Sequence, residues 1–538
     1  MTSSTGNRRL GKRYDHDGVA IAIGRVTPTD DARRLEVEVL EEAVPVILVP
    51  GIMGSNLRDV RTGQSVWRGN SLLRMMMQWL FRSATTRRRK LNPDTTEVDP
   101  RGKYMGPGST VTNKETAKQR GWGTVASYGY GKFVPWLDKA LNDDETSPWA
   151  GMEDDIKLVE SWAPFKKPEK LFPAESQKAW GVYSPVHCVG YNWLRSNAES
   201  GAYLVSKINE IIEFWRSRKS EDGTCYRCEK VVLVTHSMGG LVSRAAVLDA
   251  FGGAVDANVS EKVAGVVHGV MPAFGAAAAY HHIRTGYDFP TGLVLGRNAA
   301  QVTAVLANSP GGLELMPNTD YPEGWLQARS STGQPLMALP EAVAQADAQT
   351  GRTSADPYLQ IYTKRDEWYR LIDAGLIDPG GLDRKKDPPV DSWTRYLGIV
   401  LAAARFHQTL GNTYHDPTYS HFGNDPRKAT YQTLPWVATG PVTATTAELK
   451  AAKVRGHKSD PVKLDIAGYP AFKIGKAEDP GDDTVPAVSG GAPGTVETDA
   501  VKQSFSLIGL AHGSSYQDEG PAQMSTLYSI GKIIGRSQ

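Results

Sequence analysis

The stretch Lys230 to Gly240, "KVVLVTHSMGG", restricts the architecture more than any other part of the chain. Val231 to Val234 is a continuous apolar run, mostly β-branched, which is the pattern of a strand buried on both faces of a parallel sheet. It runs directly into a serine, Ser237, and then into the helical pattern "GLVSRAAVLDAF". A serine at a sharp strand-to-helix turn is the nucleophile elbow, G-x-S-x-G, which holds the hydroxyl exposed at the top of a sheet. Here Thr235 stands where the first glycine is expected. That position closes the strand, where β-branching is favoured. Gly239 supplies the small downstream residue and Gly240 gives the helix room to pack. The segment is expected to fold as an elbow, although a serine in this setting, taken alone, also reads as a helix N-cap.

The rest of the chain supports an α/β architecture. "VPVILVP" (Val44 to Pro50), "VAGVVHGV" (Val263 to Val270) and "YSPVHCVGYNW" read as further strands. Leu204, Val205, Ile208, Ile211, Ile212 and Trp215 recur at helical spacing, and "SFSLIGLAH" followed by "PAQMSTLYSIGKIIG" forms a last strand–helix pair. Strands alternating with amphipathic helices imply a mostly parallel sheet covered on both faces. We expect an N-terminal extension over 1–43 and a discontinuous core over 44–272 and 425–538. A first insertion over 59–177 and a cap or lid over 273–424 should rise above the carboxyl ends of the strands.

Composition excludes several classes. A net charge of +2 over 538 residues provides no basic field for nucleic acid. No apolar run reaches the length of a membrane span. The N-terminus lacks the h-region of a Sec signal, so the chain is expected to stay in the cytosol or leave by another route. Of the three cysteines, Cys225 and Cys228 form "CYRC", which reads as a loop or a local disulfide. Half a zinc site completed by His187 and Cys188 is disfavoured, because neighbours on a strand point to opposite faces. No metal and no cofactor is expected.

A serine needs a base, and the base needs an orienting acid. In this fold the order is Ser, then Asp or Glu, then His. "EDPGDDTVPAVSG" offers Asp482, with Asp483 as the alternative and Asp479 a more distant one. "SLIGLAHGSS" offers His512, which follows a strand and alone among the eleven histidines has both the order and the setting. His236 lies beside the serine and is expected to pack against the sheet. The oxyanion requires two backbone N–H donors. The elbow supplies that of Met238, and the glycine-rich loop "VPGIMGSNL" supplies that of Ile52.

"VPGIMGSNL", "HSMGG", "GDDTVP" and a late histidine, in that order, resemble the lecithin:cholesterol acyltransferase-like lipases of the α/β-hydrolase fold. The resemblance implies Ser237, Asp482 and His512 as the triad. "VVHGVMPAFGAAAAY" and "VTAVLANSPGGLELMPN" are similar, more narrowly, to bacterial phospholipase effectors encoded with type VI secretion spike proteins. That implies an antibacterial enzyme made in the cytosol, injected into rivals through a spike protein and restrained by an immunity protein.

After the oxyanion loop comes "WRGNSLLRMMMQWLFRSATTRRRK". A helix over 70–83 this apolar is either core or lipid-facing. We expect it to meet a phospholipid membrane or acyl chain through Trp67, Met76, Trp79 and Phe81, with Arg87 to Lys90 facing an anionic surface. The expected activity is hydrolysis of phospholipid acyl esters through an acyl-enzyme. The alternatives are a soluble carboxylesterase, an acyltransferase, or a catalytically silent lipid- or partner-binding relative.

Overall fold

The computed structural model describes residues 41–143, 147–150, 152, 169–219, 225–288, 292–342, 355–455, 463–465, 469–517 and 520–536, together with the paired strands Arg13–Tyr14 and Ala20–Ile21. Most of the expected 1–43 extension therefore lies outside the described residues.

Six parallel strands form the central sheet: β1 (Val46–Val49), β2 (Val186–Cys188), β3 (Val231–His236), β4 (Val263–Gly269), β5 (Thr418–Gly423) and β6 (Val501–Leu507). They lie side by side in the order β2-β1-β3-β4-β5-β6, with Val232 opposite Val46 and Val266 opposite Thr418. Alternation assigns the two faces. Val46, Leu48, Val232 and Val234 pack against Ile530, Ile533 and Ile534 of helix Pro521–Arg536. Ile47, Val49, Val231 and Leu233 pack against Leu204, Ile208, Ile211 and Trp215 of helix Asn197–Arg216. This is an α/β-hydrolase fold. Because β2 and β3 flank β1, the connections leave the ends of β1 and β3 in opposite directions. The crevice above those ends is a topological switch point, where ligands bind in open α/β sheets.

Three features differ from expectation. Strand β5 comes from within 273–424, the stretch expected to form the cap. Its sequence, "TYSHFG", has no β-branched run, and two of its polar side chains find partners outside the strand: Ser420 Oγ donates to Ser504 Oγ on β6 (2.8 Å), and His421 Nδ1 pairs with Ser525 Oγ of helix Pro521–Arg536 (3.2 Å). Conversely, a second, mixed sheet joins Pro335–Leu339 and Leu326–Arg329 to Leu434–Ala438, Phe472–Ile474, Lys463–Asp465 and Lys453–Arg455. It takes strands from beyond residue 424, with its own core around Trp325, Trp368 and Trp436. Finally, the first insertion is not all cap: Trp122, Phe133, Val134, Leu137 and Leu141 pack in the same cluster as Val46 and Leu48.

Candidate active site

Ser237 follows β3 with φ +53, a left-handed conformation that costs an L-residue roughly 1–2 kcal/mol. The turn is held open by contacts on both sides. The Ser237 N–H donates to the Gly269 carbonyl at the end of β4 (2.8 Å). A Cβ on Gly239 would lie 2.4 Å from the Val49 carbonyl oxygen, so only glycine lets the helix Gly239–Val247 start against the end of β1. Gly240 is equally confined, its Cβ position lying 2.5 Å from Met271 Sδ. Thr235 is tolerated upstream because its side chain points into the sheet, where Oγ1 pairs with His268 Nδ1 at 3.1 Å. The other non-glycine residues with positive φ among the described residues are Met53, Val270 and Asp483. All four follow or adjoin the carboxyl edge of the sheet, the clustering expected where surrounding contacts over-determine a strained site.

The late acid and base converge on this turn. His512 Nε2 lies 2.9 Å from Ser237 Oγ, and its Nδ1 lies 2.8 Å from Asp482 Oδ2. Asp482 is buried, and its Oδ1 accepts the N–H groups of Thr484 (3.1 Å) and Val485 (2.7 Å), which fixes the carboxylate plane. The His512 N–H also donates to the Asp482 carbonyl (2.8 Å), tying the two backbones together. Burial disfavours the imidazolium of His512, but the charge of Asp482, their hydrogen bond and the charge of Asp483 prevail and raise its pKa. Asp483 is exposed and bonds Thr484, and the Asp479 carboxylate accepts from the N–H groups of Gln432 and Thr433. Asp482 is thus the acid brought to the base.

The loop after β1 reaches the same turn. A Cβ at Gly51 would sit 2.9 Å from Ser237 Cβ and 2.9 Å from His236 Nδ1, so the backbone itself lines the serine. Neither the Ile52 nor the Met238 amide donates to a protein acceptor among the described residues. Sequence reasoning missed two participants. Tyr130 accepts the Gly51 N–H (2.9 Å) and its hydroxyl lies 2.9 Å from His236 Nδ1. His236, which was expected only to pack against the sheet, carries Nε2 to 2.9 Å from the His512 carbonyl. Its adjacency to the serine was the available signal; "SYGYG" around Tyr130 carried none.

The expected lipid-contact residues divide. Trp67 and Trp79 are buried against one another and Trp193, so neither reaches a membrane. Trp67 Nε1 donates to the Met53 carbonyl (2.9 Å), which seats the helix Leu72–Trp79 beside the Ile52 loop. Met76 is half-buried and packs against the same core cluster as Ile52 and Met53. Leu73 and Met77, each 65% exposed, share one face of that helix at i and i+4, and Phe81, 90% exposed, follows in the turn just past its end. The basic run also turns inward in part. Arg87 is buried, donating to the carbonyls of Val294 (2.5 Å), Trp79 (2.9 Å), Leu293 (3.2 Å) and Arg82 (3.2 Å). Burial, aided by the charge of Arg297, depresses its pKa to about 10. Arg88 is buried beside Asp383 (3.4 Å). Arg74, Arg82 and Arg89 stay exposed.

No disulfide joins Cys225 to Cys228. His187 and Cys188 face opposite sides of β2: His187 Nε2 accepts from Trp215 Nε1 (2.9 Å), while Cys188 packs with Leu48 and Val186. Among the described residues no cluster of His, Cys, Asp or Glu is arranged to hold a metal, and no helix is long and apolar enough to cross a membrane.

A sequence model of the lecithin:cholesterol acyltransferase family matches residues 177–342. The crystal structure of the Tle4–Tli4 complex contains a chain that aligns with a TM-score of 0.74 at 30% sequence identity, over 93% of this chain and 100% of that one. No match is found among curated proteins.

Proposed function

Since the chain belongs to the lecithin:cholesterol acyltransferase-like family of α/β-hydrolase lipases, in the branch of the type VI secretion effector Tle4, we propose that it hydrolyses acyl esters of membrane phospholipids as a serine hydrolase. The observation that carries the reading is the unbroken chain Ser237 Oγ–His512–Asp482, at 2.9 and 2.8 Å. Ser237 Oγ attacks the ester carbonyl as its proton passes to His512 Nε2. Asp482 holds the Nδ1–H and stabilises the imidazolium. The Met238 and Ile52 N–H groups take the developing oxyanion, each contributing roughly 3–4 kcal/mol. Collapse expels the lysophospholipid, which receives the His512 proton, and leaves the acyl group on Ser237. Water, deprotonated by His512, then releases the fatty acid and restores the serine.

The substrate arrives by a surface. The exposed residues Leu73, Met77 and Phe81, with Arg74, Arg82 and Arg89 around them, sit on the helical pair next to the oxyanion loop and suit insertion among anionic headgroups. Because Tle4 was solved bound to Tli4, we also propose that a dedicated immunity protein restrains this chain in the producing cell, and that a spike protein carries it out.

Mass spectrometry of products from mixed phospholipid vesicles tests the reading. Wild type should release free fatty acid and lysophospholipid, and Ser237→Ala should release neither. Equal release from both, or none from wild type on vesicles it binds, would overturn it.

A further inference from the structure

The mechanism uses His512, Ser237 and Asp482 but leaves His236 unemployed, although its ring centroid lies 5.3 Å from that of His512. Its tautomer follows from its partners. A carbonyl oxygen only accepts, so the contact from Nε2 to the His512 carbonyl (2.9 Å) places the ring proton on Nε2. Nδ1 is then bare and accepts from the Tyr130 hydroxyl (2.9 Å). The Tyr130 oxygen, having given its proton, accepts the Gly51 N–H (2.9 Å). All three bonds run in one direction with no donor or acceptor duplicated. Burial, reinforced by the nearby His512 charge, depresses the pKa of His236 to about 3, so the ring stays neutral and this pattern persists at working pH.

The chain of bonds joins two parts of the site that are 461 positions apart (512 − 51), the oxyanion loop and the turn bearing the base. A second set of contacts from the same segment of the first insertion runs parallel to it. The Ala126 N–H donates to the Gly54 carbonyl (2.8 Å), and Gln517 Nε2 donates to the Tyr128 carbonyl (2.9 Å). Residues 126–130 thus strap the Ile52 loop to the His512 turn, and His236 sits at the junction.

We propose that His236 and Tyr130 are positioning residues that hold the oxyanion loop and the catalytic histidine in register with one another. Neither touches the reacting atoms; they act through the Gly51 amide and the His512 carbonyl. The inference rests on Ser237, His512 and Asp482 being the triad. Its consequence is kinetic: the bonds set geometry that matters in the transition state, so their loss should lower kcat while leaving ester binding alone.

The test is steady-state hydrolysis of p-nitrophenyl butyrate by the full chain, normalised to the folded fraction from circular dichroism. Tyr130→Phe removes one oxygen and cuts two links of the chain. His236→Phe keeps the ring shape and removes both ring contacts. His236→Gln retains an amide N–H as far from the backbone as Nε2. Each of the first two should lower kcat about tenfold or more with KM within about twofold. The double variant Tyr130→Phe/His236→Phe should lose no more than the worse single one, because both break one chain. His236→Gln should recover part of the His236→Phe loss. Wild-type kcat in Tyr130→Phe, losses that multiply in the double variant, or no recovery by glutamine would each overturn the proposal. Ser237→Ala, run alongside, separates the two failures: turnover by that variant would bring down the triad reading instead.

Discussion

The carboxyl edge of the sheet and the helical pair over 72–90 both bury charged groups, and they do so to opposite ends. At the edge, Asp482 spends one oxygen on two backbone N–H groups and the other on His512, and the series ends at the Ser237 hydroxyl. In the helical pair, Arg87 makes four hydrogen bonds to carbonyls, two of them from residues 293 and 294. Arg88 and Arg395 share the buried Asp383. One region leaves a polar group unsaturated and poised. The other consumes its charge internally and presents apolar side chains outward. Buried charge marks reactivity only where its hydrogen bonding is left open on the side facing a cavity.

The sharpest way to break this contrast lies at the edge. Asp482→Asn should preserve the fold and lower kcat about 10⁴-fold, because the amide favours the wrong tautomer of His512. The same site predicts a pH profile. His512 must be neutral to take the serine proton, and its pKa is raised, so kcat/KM on a short ester should rise with pH through a limb above 6.5. Removing the Asp482 charge leaves burial opposed only by the charge of Asp483, so the limb of the residual activity should move to lower pH. A limb that stays in place would show that Asp482 does not govern the base.

The next largest effect belongs to the helical pair. Arg87→Met removes a donor from four carbonyls, of which that of Trp79 keeps the Arg82 N–H (3.0 Å), and should cost about 3 kcal/mol in urea unfolding, with kcat on a soluble ester unchanged per folded molecule. Loss of kcat with full stability would show instead that Arg87 serves turnover rather than the fold. Phe81→Ser should leave stability and short-ester turnover alone while weakening vesicle activity roughly 10- to 100-fold, the worth of burying one aromatic side chain. Trp79→Ser, two positions away and buried, should instead destabilise. The smallest effect is that of Arg89→Gln, about fivefold on anionic vesicles and absent at high salt.

Much of the edge was legible in the chain. β3, the elbow, the helix after it and the faces of Asn197–Arg216 follow from runs and periodicities among near neighbours, which carry their own conformational preference. The order serine, acid, histidine selected His512 and left Asp482 and Asp483 adjacent in contention; only the loop conformation separates them, since one carboxylate is buried and the other points to water. β5 was illegible because in "TYSHFG" Ser420 and His421 find their partners in β6 and the last helix, and such pairing has no local signature. Trp79 and Arg87 misled for the same reason: an apolar or basic residue in a helix declares what it can bury or bind, and the choice of face belongs to what packs against it.

By itself, then, the sequence determined the alternation of strands and helices, the strained serine turn with its glycines, and the histidine in reach of it, because each depends on residues within a few positions or on chain order imposed by a parallel sheet. The tertiary structure alone decided which aspartate meets His512, that Tyr130 and His236 link Gly51 to the His512 carbonyl, and that Leu73, Met77 and Phe81 rather than the tryptophans face outward. Those outcomes depend on acceptors and cavities supplied by segments tens to hundreds of residues away, and no local pattern encodes where such partners will stand.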